Sequence, residues 1–265
     1  MRTDGPVVVA LDGSDRSAQT LRWGVDAAVK RRARLVVAHV VAPAVGPWTW
    51  AGAPAVPPDT DAVSDDLRAV CHSVAQAHPD LEVAAVLLQG STVPALAEYS
   101  RDAQLLVAGT RSDQTAASLT ISTALSWRAR CPVALVRDER STDGAVVVGV
   151  DASPDSWFAA GLAAREAVRR CVPLHVLHAR RNGHDTQGRE TALDVAADLA
   201  ETYPGLDVRT ILTDGDPVRA LVEASRTAGL VVVGSRRLRG RRHLVGRRVA
   251  RLASCPVLVV RDDIA

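Results

Sequence analysis

The sequence predicts two tandem α/β domains, each with a parallel sheet flanked by helices, and three observations lead to this fold class. The chain has 265 residues, which is the length of two domains of ordinary size. Its two halves repeat one another. Within each half, continuous apolar runs of strand length alternate with longer segments of helical period, which is typical of α/β proteins.

The internal repeat consists of three matching pairs of segments. VVVALDGSDRSAQTLRW from Val7 returns as VVVGVDASPDSWFAAGL from Val146, GSTVPALAEYSRDAQLLVAGTR from Gly90 returns as GDPVRALVEASRTAGLVVVGSR from Gly215, and CPVALVR from Cys131 returns as CPVLVVR from Cys255. We therefore predict domains at residues 1–139 and 144–265, called the first and second copy, joined by the polar stretch DERSTD. The second copy is shorter, because it lacks most of a Pro- and Trp-rich stretch from Pro43 that we predict to be a long loop.

Each copy is predicted to contain five strands and four helices in alternation. Runs such as LVVAHV, LLVAG and LVVVG are typical of parallel strands buried on both faces. In the first helix Leu21, Val25 and Ala28 form an apolar stripe, and in the last helix Val245, Val249 and Leu252 do the same. We expect both stripes to face the core. Trp48 and Trp50 in the long loop are expected to pack over their own domain.

Composition excludes several classes of protein. Hydrophobic residues make up 47% of the chain and charged residues 23%, so a core can form and disorder is not expected. The sequence contains neither an apolar run long enough to cross a bilayer nor an N-terminal signal peptide, so we expect a cytoplasmic protein without membrane contact. The four cysteines form no CxxC pair, which argues against zinc or a redox site, and we expect them to be reduced and buried.

The basic residues are concentrated in one segment. Eight arginines and no acidic residue lie between Arg236 and Arg251, whereas the rest of the chain carries 24 basic and 30 acidic residues. The segment could be a solvated face, a phosphate-binding surface, or a surface for nucleic acid or anionic membrane. Nucleic acid is the less favoured partner, because no aromatic residue lies inside the segment to stack on bases.

Candidate binding residues follow the apolar runs, because ligands of open parallel sheets bind beyond the carboxyl ends of the strands. The first copy offers Asp12-Gly13-Ser14, His39-Val40 and Gly109-Thr110-Arg111-Ser112, and the second offers Asp151-Ala152-Ser153, His178-Ala179 and Gly234-Ser235-Arg236-Arg237. The aspartates could equally form ordinary helix caps or turns. We expect the two histidines to be structural.

Several enzyme classes lack their motifs here. No G-x-G-x-x-G follows a strand and no GK[ST] occurs, so neither a dinucleotide fold nor a P-loop is indicated. The Ser-Gly-Gly run of related ATP pyrophosphatases and the His-x-Gly-His of related nucleotidyltransferases are also missing. No nucleophile, base and acid converge, so catalysis beyond weak ATP hydrolysis is not predicted.

The repeat, the VxxDxS turn after the first strand, the His-Val end of the second strand, VVVGSR and the closing CPVLVV together resemble a tandem universal stress protein over nearly the whole chain. The resemblance implies doubly wound, Rossmann/flavodoxin-like sheets with strand order 3-2-1-4-5. It also implies that the last strands of the two copies pack together into an intramolecular pseudo-dimer. Whole molecules could pair again as a homodimer.

In the nucleotide-binding branch of that family, a loop G-x2-G-x9-G-(S/T) after strand four wraps ATP. Its glycines and hydroxyls hold ribose and phosphates, the strand-one Asp contacts the adenosine, and the backbone after strand two meets the adenine. The nucleotide-binding positions that the resemblance implies are Ala10, Leu11, Asp12, Ser14, Val40, Gly109, Ser112, Ser122 and Thr123 in the first copy, and Asp151, Ser153, Ala179, Gly234, Arg237, Gly246 and Arg247 in the second.

Both loops depart from the family pattern. In the first copy Ser112 and Ser122 replace glycines, while in the second Arg237 replaces a glycine and Arg247 stands where the hydroxyl belongs. The resemblance implies a stress-response signalling protein that binds ATP, with or without Mg²⁺. Two alternatives stay open: a member that has lost nucleotide and acts through protein contacts, and an anion or nucleic-acid binder that uses the Arg236 to Arg251 segment.

Overall fold

Strands and helices alternate along the chain in a computed structural model that describes residues 4–14, 17–41, 60–110, 116–137, 143–180, 186–234 and 243–261. The long loop from Pro43 with Trp48 and Trp50 lies outside the described residues, except for Thr60 at its end. None of the described helices is long and apolar enough to cross a membrane.

The first copy contains β1 Val7–Ala10, α1 Ser17–Arg31, β2 Leu35–Val41, α2 Thr60–Ala77, β3 Val83–Gln89, α3 Thr92–Tyr99, β4 Leu105–Gly109, α4 Ala116–Arg128 and β5 Val133–Val136. The second contains β6 Val146–Gly149, α5 Pro154–Arg170, β7 Leu174–Arg180, α6 Thr186–Thr202, β8 Val208–Asp214, α7 Pro217–Ala224, β9 Leu230–Gly234, α8 His243–Leu252 and β10 Val257–Val260. The predicted five strands and four helices per copy are therefore confirmed within the described residues.

The chain divides into two compact units whose limits differ from those of the copies. The N-terminal unit comprises residues 2–109 and 128–131, and the C-terminal unit comprises 110–127 and 132–265. Helix α4, apart from its last residue Arg128, and strand β5 of the first copy thus belong to the C-terminal unit. The domain boundaries read from the repeat, at 139 and 144, stay a prediction.

In the N-terminal unit, four parallel strands follow the order β3-β2-β1-β4. Ala10 at the end of β1 is in register with Ala38 on one side and with Ala108 on the other. The chain moves outward from β1 through β2 to β3 and returns to β4, so the strand order reverses between β1 and β4. Such a reversal opens a crevice at the carboxyl ends of the strands, where ligands bind.

In the C-terminal unit, five parallel strands follow the order β8-β7-β6-β9-β10, which confirms the 3-2-1-4-5 order for the second copy. The reversal lies between β6 and β9. Strand β5 pairs with β10 in antiparallel fashion, with Leu258 opposite Ala134. The last strands of the two copies, β5 and β10, therefore pair as the resemblance implies. The pseudo-dimer remains a prediction.

Three of the six residues in the predicted helical stripes are buried, while Leu21 and Val245 are half-buried. Val25, Ala28 and Val249 are buried, but Leu252 is 40% exposed, so its placement in the core was wrong. It ends α8, and the chain then turns inward. Ala253 takes the buried place and donates its N–H to the carbonyl of Val249.

The prediction of buried cysteines is confirmed for two of the four and was wrong for the other two. Cys131 and Cys255 are buried, and burial raises the pKa of each thiol to about 12. Cys71 is only half-buried, and Cys171 is exposed. Cys171 caps α5 in a left-handed conformation with φ of 54°, which ends the helix and directs this residue away from the core.

Candidate functional site: the carboxyl edges of the sheets

The loop after β1 is organised by the carboxylate of Asp12. Its Oδ1 accepts hydrogen bonds from the backbone N–H of Ser14 at 3.0 Å, from the hydroxyl of Ser14 at 2.6 Å and from the hydroxyl of Ser17 at 3.1 Å. An aspartate that accepts the N–H two residues on forms an Asx turn. The turn directs the chain from β1 into α1 at the strand-order reversal.

The second copy builds the same turn from equivalent residues. Oδ1 of Asp151 accepts from the backbone N–H of Ser153 at 3.0 Å and from the hydroxyl of Ser156 at 2.9 Å. The hydroxyl of Ser156 also accepts from the N–H of Asp151 at 2.9 Å. Both aspartates therefore have a structural role in their own loop, as the turn interpretation predicted.

Sequence reasoning missed the third member of this arrangement. Ser17 and Ser156 each stand five residues after the aspartate, so both copies carry the pattern D-x-S-x-x-S. Ser17 is the first residue of α1, and Ser156 is the third residue of α5. In each copy the N–H of this third hydroxyl residue donates to the carbonyl of the first serine, Ser14 or Ser153. Comparison of the two copies contained the signal, because the third hydroxyl recurs at identical spacing.

Hydrogen bonding keeps Asp12 ionised. Partial burial acts to raise the pKa of its carboxyl, but the hydrogen bonds from Ser14 and Ser17 outweigh it and lower the pKa below the ordinary 3.8. A carboxylate that is charged at neutral pH is a hydrogen-bond acceptor only. It can accept from the hydroxyls of a ribose and repels a phosphate.

The two histidines are structural, as expected. Nδ1 of His39 donates to the carbonyl of Leu11 at 2.8 Å, and Nδ1 of His178 donates to the carbonyl of Val150 at 2.9 Å. Each bond joins the end of the second strand to the residue after the first strand of the same copy. Each bond thus holds together the carboxyl ends of the first two strands of its own copy, next to the point where the strand order reverses.

The backbone positions implied for nucleotide contact lie at the same edges. Ala10 ends β1, and Leu11 follows it with its N–H bonded to the carbonyl of Ala38 at 2.9 Å. Val40 lies near the end of β2, and Ala179 lies at the equivalent place in β7. These residues therefore lie at the carboxyl edge of the sheet in their own unit, where the strand-order reversal leads us to expect a ligand.

Gly109 ends β4 against helix α1. A Cβ atom at this position would lie 2.7 Å from Oγ1 of Thr20, so a side chain does not fit without movement of Thr20. The glycine is thus explained by the packing of α1 on the sheet.

The hydroxyl residues of the first-copy loop lie on α4, in the C-terminal unit. Ser122 is buried, and its carbonyl accepts a hydrogen bond from the hydroxyl of Ser126 at 2.9 Å, whereas Thr123 is half-buried. Ser112 lies outside the described residues. The described part of this loop therefore offers Thr123 rather than Ser122 to a ligand.

The second copy brings its two glycines together. A Cβ atom at Gly246 would lie 3.5 Å from the carbonyl oxygen of Gly234, so the first half of α8 packs closely on the end of β9. The next residue, Arg247, is exposed. Arg248 places Nη1 3.6 Å from Oδ2 of Asp216. Arg237 lies outside the described residues.

The second-copy edge has groups of the types that an adenine nucleotide uses. The exposed carboxylate of Asp151 can accept hydrogen bonds from a ribose, and the exposed guanidinium of Arg247 can pair with phosphate. The hydroxyl of Ser153 is buried and lies 3.3 Å from the hydroxyl of Ser156, so Ser153 supports the turn instead. Gly234 leaves its strand end free of a side chain, which a phosphate group near the backbone requires. All of these residues belong to the C-terminal unit.

Comparison with known proteins identifies the family. The model of the Universal stress protein family matches residues 5–137 and 144–261. Universal stress proteins Rv2623 and Rv2005c of Mycobacterium tuberculosis H37Rv are 31% and 32% identical to this chain, with 97% of both chains covered in each case. A solved universal stress protein from Archaeoglobus fulgidus covers 98% of both chains with a TM-score of 0.75 at 18% identity, which shows the shared fold. The chain therefore belongs to the universal stress protein family and carries its domain twice.

Proposed function

We propose that this protein binds an adenine nucleotide, with ATP as the favoured ligand, and acts in nucleotide-linked stress signalling. The observation that carries the proposal is the edge of the second copy, where the Asp151 turn follows β6 and Gly234 ends the adjacent β9. This is the position of the strand-order reversal, at which open α/β sheets bind ligands. Mg²⁺ would arrive with the phosphates of ATP.

The first copy supplies a second candidate position. Asp12, Ser14 and Val40 repeat the arrangement at the edge of the N-terminal unit, with Gly109 at the end of the neighbouring strand. The ionised Asp12 suits ribose hydroxyls. The nucleotide would be held by its adenosine part on this side.

Calorimetric titration of ATP into the full chain tests the proposal. We expect saturable heat with the wild type, weaker binding in Asp151→Asn, and weaker binding in Asp12→Asn if the first copy also takes nucleotide. Asparagine can still accept the N–H that closes each turn, so the fold is retained. Absence of heat from the wild type at millimolar ATP refutes nucleotide binding. Unchanged affinity in both variants places any binding elsewhere.

The rival function is that of a member that no longer takes nucleotide and acts through protein contacts. The burial of Ser122 favours it, because this residue fills the place of the third loop glycine and is 5% exposed. The same titration separates the two functions, since the rival predicts no heat.

A further inference from the structure

The positions that follow the loop glycine on the last helix differ in charge between the two copies. Thr123 and Ala124 follow Ser122 in α4, whereas Arg247 and Arg248 follow Gly246 in α8. Ser122 corresponds to Gly246 because the two residues are as far apart in the sequence as Cys131 and Cys255, which begin the matching segments CPVALVR and CPVLVVR. The equivalent helices α4 and α8 therefore form with a neutral pair of residues in one copy and with two arginines in the other, so the fold does not require the arginines.

Two contacts place the arginine pair at the carboxyl edge of the second sheet. Gly246 packs against the carbonyl of Gly234, the last residue of β9, so Arg247 follows directly on the strand end. Arg248 reaches Asp216, which lies two residues beyond the end of β8 and caps α7. The pair is therefore at the end of the sheet where we propose the nucleotide.

The contact with Asp216 leaves Arg248 available. The side chains of Arg248 and Asp216 are 51% and 41% exposed, and their nearest charged atoms are 3.6 Å apart. An ion pair with this exposure is worth little, because water screens it. A guanidinium carries five N–H donors in a planar fork, so it can pair with a phosphate while it keeps a carboxylate nearby.

We infer that the second copy distinguishes adenine nucleotides by their number of phosphates, with Arg247 and Arg248 as the residues that favour ATP over AMP. The inference rests on the proposed function and adds to it a selectivity of the site for ATP over AMP. Each charge-assisted hydrogen bond from arginine to phosphate is about twice as strong as a neutral one. The β- and γ-phosphates of ATP supply charge that AMP lacks, so the arginine pair contributes to ATP binding and much less to AMP binding.

The test exchanges the second-copy residues for those of the first copy. In the full chain, Arg247→Thr with Arg248→Ala removes both charges at exposed positions. The matched control is Arg251→Ser, which removes an exposed arginine about one helical turn further along α8. Affinities for ATP and AMP are measured by calorimetry at two salt concentrations.

We expect the double variant to bind ATP about tenfold more weakly, because a tenfold loss of affinity corresponds to the loss of one strong ionic contact. Its affinity for AMP should change less than about twofold. Its ATP affinity should also depend less steeply on salt. The control should keep the wild-type ratio of ATP to AMP affinity.

Two results overturn the inference in distinguishable ways. If the double variant binds both nucleotides and keeps the wild-type ratio, or if Arg251→Ser lowers the ratio equally, the selectivity is wrong while the proposed function stands. If the wild type binds neither nucleotide, the proposed function and the selectivity fail together.

Discussion

Arg137 donates a hydrogen bond from Nη2 to the carbonyl oxygen of Ala250 at 2.6 Å. Its equivalent in the second copy, Arg261, donates to the carbonyl of Trp127. Each arginine directly follows its copy's last strand, and each carbonyl belongs to the last turns of the other copy's last helix. The contacts therefore reinforce the antiparallel pairing of β5 with β10 from both sides, because helix-end carbonyls have no partner within the helix.

We predict that Arg261→Met destabilises the protein by about 2 kcal/mol, which is the usual value of a hydrogen bond made by a charged group. Arg261 is 3% exposed, so water cannot replace the lost donor at Trp127. The measurement is the free energy of unfolding in urea. The control is Arg226→Met, whose ion pair with Glu223 is exposed and should change stability by less than about 0.5 kcal/mol. Equal losses in the two variants would contradict the account.

We predict that two glycine substitutions change stability in opposite directions. Gly215 has a φ of +116°, so Gly215→Ala should destabilise by about 1 to 3 kcal/mol through backbone strain. Gly161 lies inside α5, and Gly161→Ala should stabilise by about 0.5 to 1 kcal/mol through helix propensity. Among the described residues, no atom beyond the immediate chain neighbours and the helix's own backbone lies within 4 Å of either added Cβ, so packing does not explain the difference. A loss of stability in Gly161→Ala would contradict the prediction, because it would mean that the added methyl group meets other atoms.

We predict a carboxyl titration for Asp12 with a midpoint below 3.8, measured by NMR of the side-chain carbon. A folded-state pKa below the unfolded one means that the carboxylate stabilises the fold above pH 3.8 and that this contribution is lost as pH falls through the lowered pKa. The stability advantage of wild type over Asp12→Asn should therefore shrink below pH 3.8. A midpoint at or above 3.8 would contradict the Ser14 and Ser17 hydrogen bonds.

We predict that Cys171 reacts first with a thiol reagent in the native protein. Cys171 is exposed, whereas Cys131 and Cys255 are buried with pKa values of about 12 and carry almost no thiolate at pH 8. Cys171→Ser should remove the fast phase of thiol modification. In the wild type, all four thiols should react after denaturation. Fast modification of Cys131 or Cys255 in the folded chain would show that the β5 and β10 region opens.

The repeat made the fold predictable, because two independent versions of one pattern fixed each strand and helix. The Asp12 and Asp151 turns were also predictable, since their hydrogen bonds join residues that are close in sequence. The Arg137 to Ala250 bond was not, because 113 residues separate its partners and no local pattern marks a helix-end carbonyl. Leu252 and Cys171 were misplaced because helix ends, where the chain turns, decide their exposure.

Nucleotide binding at the carboxyl edge is the central claim, and an amide NMR spectrum recorded with and without ATP tests it most directly. The account predicts that ATP shifts the amides of Asp151, Ser153, Ala179, Gly234 and Arg247, while those of α6 on the outside of the fold stay in place. No shift at saturating ATP, or shifts confined to residues away from the ends of β6, β7 and β9, would contradict it.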